Sequence, residues 1–220
     1  MSEQNRKYSI SPLQWAIRTL FLKKRFVYHI NEQSFKSITP PEKENLIVTR
    51  DPADIRNHFA HVKRFTMNRS TFYTEKRLRQ RLDNPHLTCF LAINQGRGEP
   101  VGVQWTIAAD GETLWHDKLP LPPDAGLLIN AFVPENHRRQ GIGTNMKYHA
   151  ITHLFDDRNC ERVYGVVEAT NLASRTLLGK YSEKSISANY LLKLFGVNIL
   201  SIVSSYKGIT IYRAFLRGGY

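Results

Sequence analysis

Arg138, Arg139, Gly141 and Gly143 stand together in the segment Val133-Pro134-Glu135-Asn136-His137-Arg138-Arg139-Gln140-Gly141-Ile142-Gly143-Thr144. Their types suit the capture of an anion. Glycines without side chains let backbone N–H groups close on a ligand. The two arginines add charge and forked donors. An apolar run, Leu127 to Val133, precedes the segment, and a helix-like stretch, Asn145 to Phe155, comes after it. The order is therefore strand, turn, helix. The first turn of such a helix leaves N–H groups unpaired and carries partial positive charge. A phosphate or pyrophosphate fits there.

Known glycine-rich loops narrow the choice. A P-loop needs Lys followed by Ser or Thr after its last glycine, and Ile142-Gly143-Thr144 has no Lys. A dinucleotide fingerprint needs three glycines, and only Gly141 and Gly143 are present. The remaining pattern, Arg-x-x-Gly-x-Gly between strand and helix, resembles the pyrophosphate loop of the GCN5-related N-acetyltransferases (the GNAT superfamily). A second signature lies downstream. Arg162 to Glu168 reads as a buried strand, and Ala169-Thr170-Asn171-Leu172-Ala173-Ser174 succeeds it with Thr170 or Asn171 as a helix cap. This is similar to the family's strand ending in Asn with a small residue three positions on, here Asn171 and Ser174.

The resemblance implies an α/β (α+β) fold with a mixed, mostly antiparallel central sheet, helices on both faces and splayed strands at the cofactor cleft. It implies transfer of an acyl group, usually acetyl, from coenzyme A (acetyl-CoA as cosubstrate, no metal) to an amine. The loop from Arg138 through Arg139, Gln140, Gly141, Ile142 and Gly143 to Thr144 would then hold the pyrophosphate. Backbone groups of Phe132 and Val133 would hold the pantetheine arm, with Asn171 contacting it and Ser174 at the small-residue position. The Tyr that many members carry seven positions after the Asn is here Leu178; Tyr181, about one helical turn on, is the candidate acid. No motif fixes a base. Glu168, at a strand end near Asn171, is the first candidate, and His116 ranks below it, beside Asp117 and Glu112. A competing reading is a non-catalytic module that kept the fold and binds nucleic acid or an anionic membrane through a basic face.

These residues need elements to position them. Ser11-Pro12 starts a helix over Leu13 to Tyr28, with Leu13, Ile17, Leu20 and Phe21 at helical spacing and Arg18, Lys23, Lys24 and Arg25 as its charge. Thr39-Pro40-Pro41 closes this stretch, so residues 1–44 read as an extension with a basic amphipathic helix and 45–220 as the acyltransferase domain. The helix packs on the domain or a second subunit, or lies on an anionic membrane through Trp15, Phe21 and Phe26. Residues 46–49 read as a strand, and Asp51-Pro52 starts a helix. A further helix, about Thr71 to Leu82, carries Lys76, Arg77, Arg79 and Arg81 on a solvated face. Leu87 to Ile93 and Val101 to Ile107 form a hairpin. Asp110 to Gly126 lies over a sheet edge, and Val197 to Ser204 with Ile209 to Phe215 forms a final hairpin. The order β-α-α-β-β-β-α-β-α-β-β over roughly 45–217 is the one the resemblance implies. The apolar addition Ala188 to Phe195 offers an acceptor wall or a subunit interface.

The 220 residues suffice for one sizeable core, and 41% hydrophobic with 23% charged residues is ordinary for a globular protein. No apolar run is long enough to cross a bilayer. Cys89 and Cys160 lack metal-site spacing and do not make a disulfide scaffold. With no secretory signal evident, the expected location is the cytoplasm, with the inner membrane face as a peripheral site. The net charge of +12 favours anionic partners without choosing among them. The expected partners are an amine acceptor (a small molecule or amino sugar), an anionic membrane surface and a second copy in a homodimer; nucleic acid is not expected.

Overall fold

The computed structural model describes residues 20–41, 44–67, 74–116, 119–182, 185–194, 197–205 and 208–213, with backbone alone for 20–24, 115–116, 119–120 and from 185 onward. One strand lies where a helix was expected. β1 (Leu20–Ile30) is antiparallel to two neighbours. The helical spacing that suggested otherwise ends near Phe21. From Phe26 the pattern alternates, and Tyr28 and Ile30 are buried in one apolar cluster with Phe26 packed against it. Two waiting strand edges supply the hydrogen bonds, so tertiary context overrides the helical pattern. The expected helix residues 13–19 lie outside the described residues. The membrane reading of that helix loses Phe21 and Phe26, which belong to β1.

Short helices come next, with legible starts. In α1 (Glu32–Lys36), Asn31 caps by accepting from the Ser34 N–H at 2.7 Å, and Phe35 is its buried residue. After β2 (Leu46–Thr49), Asp51 caps α2 (Pro52–Asn57), accepting from Ala53 N–H at 2.7 Å with Pro52 in the first turn. α3 (Phe59–Met67) and α4 (Glu75–Leu82) complete this layer, with Thr74 capping α4. The charge run on α4 is partly built into the structure. Arg79 pairs with Glu75 and lies over the Phe59 ring, and the buried Arg81 lies over the Trp105 ring at 4.5 Å.

β3 (Leu87–Asn94) and β4 (Glu99–Ala108) form the expected hairpin. β5 (Leu114–His116) and β6 (Leu119–Leu121) make a small separate ribbon. β7 (Ala125–Phe132) leads through a 3₁₀ turn, Glu135–His137, to α5 (Ile142–Thr152), which continues as one π-helical turn to Asp157. β8 (Arg162–Glu168) and α6 (Leu172–Gly179) come after it. The apolar addition is a strand, β9 (Ser185–Leu194), and β10 (Val197–Ser205) with β11 (Gly208–Arg213) forms the final hairpin.

All but β5 and β6 join one nine-stranded sheet, ordered β11-β10-β9-β1-β8-β7-β4-β3-β2. Every neighbouring pair is antiparallel except β7–β8. The mixed, mostly antiparallel sheet with helices on both faces is therefore as expected. One face, with Trp105, Leu91 and Leu127, packs on Val62, Phe65 and Leu78 of α3 and α4. The other, with Phe90, Leu128 and Val163, packs on Ile151, Leu154 and Leu178 of α5 and α6. A smaller cluster, Ala92, Val101, Ile142 and Met146, seats the start of α5.

Gly165 fixes how closely α6 approaches β8, because a Cβ there would meet Leu178 at 2.5 Å. Gly165→Val should destabilise the fold by about 1–3 kcal/mol through overpacking. Thermal unfolding should show it, and Leu178→Ala in the same chain should recover part of the loss.

Candidate functional site

The site begins where the sheet opens. β7 and β8 pair in parallel from Ala125↔Arg162 to Leu128↔Gly165, and there the pairing stops. Both strands run on, β7 to Phe132 and β8 to Glu168. Each continues on its outer neighbour: Phe132 still pairs with Val103 of β4, and Glu168 with Arg25 of β1. The result is a cleft at the carboxyl ends of the sheet's one parallel pair, the position where ligands bind in open α/β sheets.

The wall of the cleft on the β7 side is bulged. Between the pairs Trp105↔Ile129 and Val103↔Phe132 the strand β7 advances one residue more than β4. Asn130 takes a left-handed φ of 47° there, a conformation that Asn tolerates better than most residues. The extra residue re-aims the side chains beyond it. Phe132 turns to the α3 side, with its ring 5.5 Å from Phe65, while Val133 packs against the cluster under α5. Without the bulge, strict alternation would exchange these two faces.

The candidate anion loop is built from the next residues. Arg138 donates from Nε to the Val133 carbonyl at 3.1 Å and lies 3.9 Å from the Glu135 carboxylate. Its side chain braces the loop against the strand end as well as bringing charge. Gln140 likewise reaches back to the Asn136 carbonyl. Arg139 (φ 60°) and Gly141 (φ 77°) are both left-handed, which swings the chain into α5. Gly141 is the N-cap, and no side chain caps the helix, so the first-turn amides of Ile142, Gly143 and Thr144 carry no side-chain acceptor. Ile142 is buried and anchors the helix; Arg138, Arg139, Gln140 and Gly141 are exposed. A Cβ on Gly143 would lie 3.7 Å from Leu177 and 3.9 Å from Val133, so the loop is seated between α6 and the end of β7.

Asn171 caps α6. Its Oδ1 accepts from the Ser174 N–H at 3.1 Å, and its own N–H donates to the Glu168 carbonyl. The Asn-x-x-Ser spacing is thus a capping interaction that places a second helix N-terminus after β8, as α5 comes after β7. Two positive helix ends therefore succeed the two strands that frame the cleft.

The candidate catalytic residues divide. Glu168 is exposed at the end of β8, on the cleft-framing strand. Leu178, at the position where the resemblance would place Tyr, is buried against Gly165. Tyr181 is also buried. Its hydroxyl donates to the Thr144 carbonyl at 3.2 Å, and burial, then the neighbouring Tyr148, pushes its pKa up to about 12. Its place is behind the anion loop, tying α6 to the first turn of α5. His116 lies on β5, opposite Leu119 and away from the main sheet's ladder; its side chain, like Asp117, is outside the described residues. Glu112 is exposed in the loop before β5. Among the described residues no group of three or more His, Cys, Asp or Glu is arranged to hold a metal ion.

Sequence reasoning did not identify the bulge or the residue that fills it, Gln104. Its side chain is 1% exposed and donates from Nε2 to the carbonyls of Trp105 (2.8 Å) and Ile129 (2.7 Å). A signal was present: Asn130 is a polar residue and poor strand former inside an otherwise apolar run.

An open sheet with one splayed parallel pair has an uncapped helix start at its carboxyl end, the place where open α/β sheets bind ligands. The family emerges from comparison. Residues 54–181, more than half of the chain, match the acetyltransferase (GNAT) family model, and the chain belongs to that family. Curated protein sequences give no significant match. Solved structures support the fold. A Drosophila protein superposes with a TM-score of 0.58 at 15% identity over 81% of this chain and 53% of that one, so this chain spans about half its length. A GCN5-related N-acetyltransferase from Kribbella flavida gives 0.52 at 12% identity, covering 83% and 63%. The aminoglycoside N-acetyltransferase AAC(6')-Iy, in complex with a CoA-containing bisubstrate analogue, gives 0.50 at 14% identity, covering 64% and 92%.

The placement of Tyr181 gives a test. Tyr181→Phe should lower stability by about 1 kcal/mol and, if the chain binds CoA as family members do, weaken that binding modestly by loosening the first turn of α5. A turnover loss of about 10²-fold or more at unchanged CoA affinity would instead assign the hydroxyl to proton transfer.

Proposed function

We propose that this chain is an N-acyltransferase that moves an acetyl group from acetyl-CoA to a primary amine of a small acceptor. The observation that carries the reading is the pairing of the β7–β8 cleft with the uncapped α5 N-terminus beside it. A pyrophosphate needs converging amides and positive charge, and the loop has both. Gly141 leaves the approach open, since nothing lies within 4 Å of a Cβ built there. In this reading Arg139 and the amides of Ile142, Gly143 and Thr144 bind the pyrophosphate, with Arg138 and Gln140 bracing the loop. The backbone at Phe132 and Val133 and the helix start at Asn171 and Ser174 line the arm's path. Coenzyme A supplies a thioester, an activated acyl group that an amine can attack.

The chain's own residues then have three tasks: hold the acyl carbonyl, accept a proton from the amine, and keep water out of the cleft. Glu168 is the carboxylate we assign to the proton. Phe132 with Phe65 forms an apolar wall on the α3 side of β7. For the acceptor we propose a small amine, with amino sugars as the first class to test.

A second reading keeps the fold without catalysis. It is favoured by Leu178 and by the commitment of the Tyr181 hydroxyl to Thr144. Thiol release from acetyl-CoA over a panel of amines separates the two. The protein's own thiols give little background, since Cys89 and Cys160 are buried and burial pushes both thiols up, Cys160 to about 11. Release that depends on the amine establishes the enzyme; none with any amine supports the binding module.

Gly141→Glu combined with Arg139→Ala should weaken acetyl-CoA binding by at least tenfold to about a hundredfold, as loss of charge-assisted hydrogen bonds implies. Gly141→Ala controls for backbone strain alone. Isothermal titration reads the outcome, with circular dichroism confirming the fold; equal affinity in the double variant would remove the loop from the site.

A further inference from the structure

We infer that Gln104 is a positioning residue, an amide staple that holds the β7 bulge in the shape required for acyl transfer. The inference rests on the acyltransferase reading for its catalytic consequence, and on the geometry of the strands alone for its physical basis. Three observations converge. The bulge lies between Trp105↔Ile129 and Val103↔Phe132, at the lip of the cleft where β7 has parted from β8. Ala131 has no register partner in β4 or in β8, so neither ladder fixes its orientation. Gln104 sits on β4 between Val103 and Trp105, opposite the irregular step, and is almost fully buried.

Its hydrogen bonds show the function. Both N–H bonds of its amide are used on carbonyls, one on each strand, Trp105 on β4 and Ile129 on β7. Only the NH₂ end can face two carbonyls, so the amide orientation is fixed. Its own Oε1 has no hydrogen-bond partner among the described residues. The side chain thus satisfies two backbone groups while its own acceptor stays bare. A residue serving only to fill volume would be better replaced by an apolar one. Tying Ile129 to Trp105 fixes the residue just before the left-handed Asn130, and thereby the direction in which the backbone leaves toward Ala131, Phe132 and Val133. That stretch borders the acyl group in the proposed reaction. A carbonyl-polarising donor must sit within a few tenths of an ångström of its place, so loosening this staple should slow chemistry more than binding.

Gln104→Met keeps the approximate volume and removes both donors. Gln104→Glu keeps the shape and, when its buried carboxyl is protonated, restores one donor. In the ligand-free protein, amide hydrogen exchange at Ala131 and Phe132 should quicken in Gln104→Met while exchange at Gly143 and Thr144 stays as in the parent. In steady state, kcat should fall at least tenfold with the KM for acetyl-CoA and the Kd for CoA within about threefold. The ratio of the Gln104→Glu kcat to the parent's should rise as pH falls. Unchanged exchange at Ala131 and Phe132 overturns the staple. Exchange that quickens with kcat unaltered overturns its catalytic role. A parent protein that fails to bind CoA overturns the acyltransferase reading and leaves the exchange result to decide the staple alone. If Gln104→Met does not fold, Gln104→Glu carries the test: a kcat equal to the parent's at every pH overturns the proposal.

Discussion

The site depends on a competition for backbone hydrogen bonds in the middle of the sheet. β7 and β8 are bound to each other only as far as Leu128 and Gly165. Beyond that point β8 stays with β1 and β7 with β4. An interior strand whose neighbour departs leaves amide and carbonyl groups without ladder partners, and such groups are expensive to bury dry. A cleft lined by them favours a ligand that carries its own amides and carbonyls. β1 has a direct part in this geometry, because its Arg25 to Ile30 pair with β8 all the way to Glu168 and hold that strand on its outer side.

Charge enters the same frame through backbone dipoles more than through side chains. The net charge of +12 would suggest a broadly cationic surface, but many of the cations are locally engaged. Arg162 pairs with Asp124, Arg158 with Asp110, Arg50 with Asp157, and Arg81 and Arg175 lie over Trp105 and Phe26. At the loop itself, Arg138 is tied to Val133. The uncapped start of α5 is different in kind: its amides are preorganised by the left-handed Gly141 and need no side-chain ordering to meet an anion. Overall basicity alone is therefore a weak argument for a nucleic-acid or membrane partner.

The legibility of the sequence depends on how local each signal is. Caps and turns are read over three or four residues, so Asp51, Asn171 and the Gly141 loop could be placed from the chain alone. β8 was readable because Val163, Val166 and Val167 are apolar, β-branched residues between turn signals. β1 was not, because its strand state depends on two partners distant in sequence, and its first residues carry a helical spacing. The bulge was hidden for a related reason. Asn130 hints at it, but its amide staple lies on another strand, and only folding brings Gln104 to Ile129.

The packing of positions 178 and 181 bears on how the chemistry can run. Gly165 lacks a Cβ, and Leu178 fills the space above it. An aromatic ring at 178 would have to find room beyond the space that Leu178 fills. Tyr181, one turn later, is hydrogen-bonded to Thr144 behind the glycine loop, and burial, then the neighbouring Tyr148, favours its protonated form. A dedicated acid is less necessary here than it would be for an alkoxide, because a thiol with a pKa near 8.5 departs as thiolate close to neutrality. The larger demand is placed on holding the acyl carbonyl and accepting the amine's proton. In the proposed reaction these tasks would be assigned to the backbone after Asn130 and to the end of β8, where Glu168 stands. The positions that pack the core tightly, Gly165 with Leu178 and Gln104 with Ile129, thus limit which side chains have room to face the cleft.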